Sequence, residues 1–263
     1  MSCEFRILDF NYVWQSATIL TASSADSEFP VLNLKNQIRG FTWRTTSTLN
    51  QSVVIDIKTK EAIDSVVLVF DSFVGVKFSS NAVIKIQASH TNVWTSPPVD
   101  QALTIDETNG LASHYFTIDQ EYRYWRLSIT DPVSAYSYLE VPKIILSKAT
   151  LLAQGPNKGF SEKTVDQSKN VRTDYGHSYT DIFPSIRSLG FDFTAFTDED
   201  ANTLHEIYER VGNARCIAID LDSTEELFNK DRYFIYGKIT GDSSLKHNVF
   251  SYFDSGLSVL ETL

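Results

Sequence analysis

Apolar and polar residues alternate along most of this chain in the manner of β-strands. Ser52–Ile57 (SVVIDI), Ser65–Phe70, Ala82–Ala88 (AVIKIQA), Ser113–Ile118, Tyr122–Thr130 (YRYWRLSIT) and Lys143–Ser147 are short runs rich in Val, Ile and aromatic residues. Phe5–Val13 alternates imperfectly and reads the same way. Turn-formers separate the runs: Asn50, Asp71–Ser72, Ser79–Asn81, Ser96–Pro98, Asn109–Gly110 and Asp131–Pro132. Short strands punctuated in this way predict an antiparallel sandwich rather than a parallel α/β sheet. No helical period occurs before residue 190.

The pattern changes at Leu152–Ser168 (LAQGPNKGFSEKTVDQS), which holds two glycines, a proline and few apolar residues. It predicts a first domain over 1–153, a linker over 154–169 and a second domain over 170–263. Residues 1–14 are assignable to either domain. In the second domain Leu189, Phe191 and Phe193 alternate as a strand, and one helix follows over Thr197–Arg210. Thr197 suits the N-cap, Asp198, Glu199 and Asp200 suit the positive end of the dipole, and Gly212 suits the stop. Ala201, Leu204, Ile207, Tyr208 and Val211 share one helical face. Phe191, Phe193, Leu204, Ile207 and Tyr208 are therefore the predicted core. Strands are predicted over Arg215–Leu221, Tyr233–Thr240, Val249–Phe253 and Leu257–Leu263. The fold class is mainly β: a sandwich, then a smaller α+β domain with one helix on an antiparallel sheet.

The 17 Phe and 12 Tyr among 263 residues give enough apolar bulk for a packed core. A net charge of −10 with no basic patch excludes a general nucleic-acid binder and opposes binding to anionic membranes. No run of about 18 apolar residues exists, so no membrane insertion is expected. Glu4, Arg6 and Asp9 interrupt any apolar leader, so synthesis in a cytoplasm is expected. Cys3 and Cys216 leave two readings, buried free thiols or one disulfide.

No catalytic constellation is visible, and neither a cofactor nor a metal is expected. The five histidines lack metal-ligand spacing, and no P-loop, G-x-G-x-x-G or G-x-S-x-G occurs. Asp220–Glu226 carries four carboxylates but lacks the glycine and ligand pattern of an EF-hand loop. Gly155–Gly159 lacks Walker spacing. What is left is binding chemistry. Trp43, Trp94 and Trp125 are candidate platform residues, and Arg126 sits among aromatics in the YRYWRLSI strand. Arg126 reads either as a cation–π partner of a ring or as a ligand-binding group. Trp43, Trp94 and Arg126 are the candidate ligand contacts.

The order T-A-S-S, N-L, W-R, V-V-I-D-I over Ser16–Ile57 resembles the opening of a discoidin-like (F5/8 type C) β-sandwich, an opening also found in phage tail proteins. Ala62–Phe70, Ala82–Ala88 ahead of Trp94, Tyr122–Ile129 and Lys143–Leu146 resemble the later blocks of that family in order, covering about residues 16–150. The resemblance implies a jelly-roll module that binds surfaces, sugars or proteins and does not catalyse. Sugar-binding members often carry an Asp-rich Ca²⁺ loop before the tryptophan. Here Asn33–Phe41 (NLKNQIRGF) has Lys35 and Arg39 and no carboxylate, so no calcium site is expected. Arg172–Phe193, the helix and Arg215–Asp220 resemble ring-forming distal tail or tail-tip proteins of tailed phages. That resemblance implies a structural virion component of the tail tip or baseplate, assembled in the host bacterial cytoplasm. It would form a homo-oligomeric ring that meets other tail proteins, with the sandwich projecting outward. The alternative is a carbohydrate-binding module that attaches to a host-surface glycan.

Overall fold

The structure is a computed structural model that describes residues 5–70, 78–106, 110–152, 155–156, 160–172, 175–221, 234–241, 245–249 and 252–262. Strands run in chain order as β1 Arg6–Leu8, β2 Ile19–Ala22, β3 Trp43–Arg44, β4 Gln51–Val69, β5 Val83–Ser89, β6 Val99–Ala102 and β7 Thr104–Asp106. They continue as β8 Leu111–Thr130, β9 Glu140–Val141, β10 Lys143–Ser147, β11 Thr150–Leu151, β12 Phe160–Val165, β13 Lys169–Arg172 and β14 Ser178–Asp181. β15 Ile186–Phe196 precedes the helix α1 Asp198–Val211, and β16 Cys216–Asp220, β17 Phe234–Ile239, β18 Leu245–Val249 and β19 Tyr252–Glu261 complete the order. The chain is mainly β, with one α-helix among the described residues, and the β4–β8, β5–β8, β15–β19 and β16–β17 pairs are antiparallel.

Two compact units divide the chain, one built on Leu8–Thr150 and the other joining the segment up to Ile7 to the residues from Leu151 onward. In the first, β4 and β8 are long strands paired with each other, and their register shifts between Asp56 and Glu61 and again between Ile63 and Ser65. Lys58 takes a positive φ of 71° inside the first shift. Such irregularities bend a strand pair sharply, so each long strand serves two layers. The first half of β4 and the second half of β8 pair with β2 and β5; their other halves pair with β10 and β7. Val53, Ile55, Trp125 and Leu127 from one layer share a single core with Val66, Leu68, Ile144 and Leu146 from the other. The predicted pairs of short strands Ser52–Ile57 with Ser65–Phe70, and Ser113–Ile118 with Tyr122–Thr130, are thus each one continuous strand. Their pattern breaks at the bend because that stretch faces solvent, while pairing resumes at Glu61 opposite Tyr122.

Phe5–Val13 is a strand only over Arg6–Leu8; Tyr12–Trp14 is a 3-10 turn whose cap, Asn11, accepts from the Val13 N–H at 3.0 Å. The same Asn11 side chain donates to the Ile144 carbonyl and accepts from the Leu146 N–H, which fixes the chain start on β10.

In the second unit the sheet order is β11-β1-β16-β17-β19-β15-β12, with β18 added beside β19. Helix α1 packs on β15 and β19. Thr197 caps it by accepting from the Asp200 N–H at 3.2 Å, and Gly212 ends it at a φ of 54°. Phe191, Phe193, Leu204 and Ile207 are buried in one cluster, and Tyr208 packs against it with its hydroxyl donating to the Gly256 carbonyl at 2.9 Å. Burial pushes the Tyr208 hydroxyl up to about 12. Phe5 adds its ring 5.4 Å from Phe191 and 5.5 Å from Phe193, so the first residues of the chain complete this core.

The linker predicted over 154–169 is corrected, since Phe160–Val165 is the edge strand β12 paired with β15. It reads as linker because only Phe160 is partly covered, and an edge strand carries the charges of Glu162 and Lys163. Val249–Phe253 is also corrected: Val249 and Tyr252 face each other across the β18–β19 pair, so the chain reverses there.

Candidate functional site

Among the described residues of the sandwich unit, aromatic rings meet the guanidinium groups of Arg126, Arg44 and Arg123. Arg123, beside Tyr124, is committed to both oxygens of Asp56, and the other two clusters differ in what the guanidinium has left to offer. The first lies on the solvent face of the β5–β8 layer. Trp125, Leu127 and Ile129 of β8 are buried, so the alternation of the strand turns Tyr124, Arg126 and Ser128 outward. In register, Arg126 stands between Val54 of β4 and Gln87 of β5, and Gln87 stands opposite Asp100 of β6. The Arg126 Nε–H donates to Gln87 Oε1 at 2.7 Å. Trp94, from the turn after β5, places its ring 4.7 Å from the guanidinium. A positive φ of 56° at Asn92 shapes that turn, and Asn92 Oδ1 accepts from the Trp94 indole N–H at 3.0 Å.

Burial pushes the Arg126 pKa below its ordinary value and the Asp100 charge pulls it back, so the group stays cationic. Asp100 pairs with Lys85 at 3.4 Å, both well exposed. The terminal amino groups of Arg126 make no hydrogen bond to any described residue. The site therefore offers planar N–H donors, a carboxylate acceptor and an indole. It holds no nucleophile with an adjacent base.

In the second cluster Arg44 is enclosed. Its guanidinium carbon lies 3.8 Å from the Phe29 ring centroid and 4.4 Å from that of Tyr138, and Nη2 pairs with Glu140 at 3.2 Å. Glu140 also accepts from the Thr42 hydroxyl at 2.7 Å. Two rings and the Glu140 ion pair hold this arginine between the loops around β3 and β9, with its Nε–H buried and without an acceptor among the described residues, so the cluster is a clamp.

Of the candidate ligand contacts, Trp94 and Arg126 come together, and Trp43 does not join them. Trp43 is fully buried in the sandwich core, with its indole N–H donating to the Ser24 carbonyl at 2.9 Å. It is corrected to a core residue. Gln87 and Asp100 were missed, because only the strand register brings them to Arg126.

The carboxylate-free stretch around Lys35 is filled by the lysine itself. Its ammonium donates to the carbonyls of Gln15, Ser16 and Thr18 at 3.1, 3.3 and 2.5 Å. Among the described residues no group of three or more His, Cys, Asp or Glu side chains is gathered as a metal site. Cys216 is buried. Cys3 and Asp222–Glu226 lie outside the described residues. No helix among them is long and apolar enough to cross a membrane.

No protein-family model matches the chain, and no curated protein matches it. Solved structures do. A family 32 carbohydrate-binding module of Clostridium perfringens NanJ, in complex with galactose, is 13% identical, with 55% of this chain and 99% of that one covered at a TM-score of 0.43. The lectin binding domain of Lectinolysin, complexed with Lewis b, is 11% identical over 54% of this chain and 97% of its own, at 0.43. A fucose binding module of Streptococcus pneumoniae is 14% identical over 53% and 98%, at 0.42.

Proposed function

We propose that the Leu8–Thr150 unit is a non-catalytic carbohydrate-recognition module, with Trp94 and Arg126 as its principal ligand contacts. The observation that carries this reading is the unspent end of Arg126 beneath an indole on a polar sheet face. A saccharide ring has one face of C–H groups and a rim of hydroxyls. The first packs on an aromatic face, and the second takes charge-assisted hydrogen bonds from a guanidinium. Gln87 holds the arginine in place, and the Asp100 carboxylate accepts a hydrogen bond from a sugar hydroxyl.

The test is a glycan array probed with the full chain, followed by titration of any sugar that binds. Trp94→Ala and Arg126→Lys should each weaken binding at least tenfold, equivalent to about 1.4 kcal/mol, without shifting the melt. An empty array, or affinity unmoved by both substitutions, would refute the assignment.

A second reading is assembly into a phage tail ring within the virion. The exposed β13–β14 hairpin favours it, because all eight of its strand residues are solvent-exposed. Electron micrographs of purified protein would show closed rings if this reading holds, and single particles without rings would end it.

A further inference from the structure

The strands β13 and β14 continue the β12–β15 pair beyond the sheet as a two-stranded arm. Ser168 joins the two parts by exchanging hydrogen bonds with the Phe183 backbone at 3.2 and 3.5 Å. An isolated two-stranded hairpin is marginal in water. This one also carries apolar side chains in the open: Tyr175 is 92% exposed, Ile182 85%, Tyr179 54% and Phe183 45%.

The register sorts the arm into two faces. Asn170, Arg172, Ser178 and Thr180 make a polar face, on which the Thr180 hydroxyl donates to Asn170 Oδ1. Lys169, Val171, Tyr179 and Asp181 make the other, with Lys169 opposite Asp181 and Val171 opposite Tyr179. Lys169 and Asp181 make no ion pair or hydrogen bond with any described residue.

That arrangement is self-complementary. A two-fold axis along the arm lays β13 of one copy over β14 of another. Lys169 then meets Asp181 of the second copy, Val171 meets its Tyr179, and both contacts occur twice. An isologous interface requires this kind of matching. On this face Tyr179 is 54% and Val171 39% exposed, so apolar contact between the copies lies beside the two charge pairs. We infer that the arm is a self-association surface, and that two copies of this chain pair face to face through Lys169, Val171, Tyr179 and Asp181.

Sedimentation velocity of the full chain over a micromolar concentration series tests this. The wild type should dimerise. Lys169→Asp and Asp181→Lys each place like charges across the axis, and each should weaken the dimer at least tenfold. An equimolar mixture of the two variants restores opposite charges only between copies, so it should recover a dimer. Recovery also shows that both variants are folded. A wild type that stays monomeric, single variants that associate as the wild type does, or a mixture that stays monomeric would each overturn the inference. Sugar binding at Trp94 should be untouched in both variants, so this proposal and the carbohydrate reading fail separately.

Discussion

Lys35→Met keeps the length of the side chain and removes the ammonium that donates to Gln15, Ser16 and Thr18. A hydrogen bond to a charged group is worth roughly 1.5–3 kcal/mol net. The Ser16 carbonyl is exposed and can turn to water, so two of the three bonds count, for a loss of about 3 kcal/mol. In a unit of this size that lowers the midpoint by about 10 °C. All four tryptophans, Trp14, Trp43, Trp94 and Trp125, lie within Leu8–Thr150, so indole fluorescence follows that unit alone. Calcium sharpens the experiment. Three carbonyls without a carboxylate fall short of the six to eight oxygens Ca²⁺ takes, so millimolar Ca²⁺ should neither stabilise the wild type nor rescue the variant. An unshifted melt for Lys35→Met would show that the lysine is idle. A wild type stabilised by Ca²⁺ would show that the cation site is elsewhere and real.

Leu204→Ala should cost about 2–5 kcal/mol by opening a cavity under α1, whereas His205→Ala, on the exposed face beside Glu209, should cost about 0.5 kcal/mol or less. Denaturant melts followed by far-UV circular dichroism decide it, and the reverse order would mean the helix face is misassigned. The two Arg123 hydrogen bonds, then Lys58, hold the Asp56 carboxyl well below the usual carboxylate range. Its contribution is therefore full above the unfolded value near 4 and is lost as pH falls further. The gap between wild type and Asp56→Asn should be open at neutral pH and narrow progressively as pH falls below about 4; a gap independent of pH would rule out ionisation as its source.

The helix was legible in the sequence because its signals are local: a cap, a first turn of acids, a stripe and a glycine stop all lie within sixteen residues of Thr197. Lys143–Ser147 was legible for a similar reason, as a buried run between turn-formers. The long strands were not, because a bend that faces water looks like a turn when pairing cannot be seen. The arm was missed because Lys169–Arg172 and Ser178–Asp181 bury nothing, and burial is what writes a period-two pattern. At the candidate site, Trp94 and Arg126 were legible as residue types. Their meeting was not, since it depends on a turn that folds back across β5. Trp43 shows the converse, because a lone tryptophan in a polar loop looks like a surface ring until the core closes over it.

The charge of the whole chain narrows the ligand. At −10 the molecule repels anions, though at physiological ionic strength that field decays within about 8 Å of the surface. Close to the site the balance is set by three groups. Arg126 and Lys85 bring positive charge, and Asp100 sits against both. An acidic sugar would gain from Arg126 and Lys85 and lose to Asp100. A neutral sugar gains from both signs of charge, because its hydroxyls donate to the carboxylate and accept from the guanidinium. On the proposed carbohydrate reading, a neutral saccharide uses donors and acceptor alike and its affinity should depend little on salt, whereas binding of an acidic saccharide should weaken as salt rises; titrations of both classes at two ionic strengths decide it.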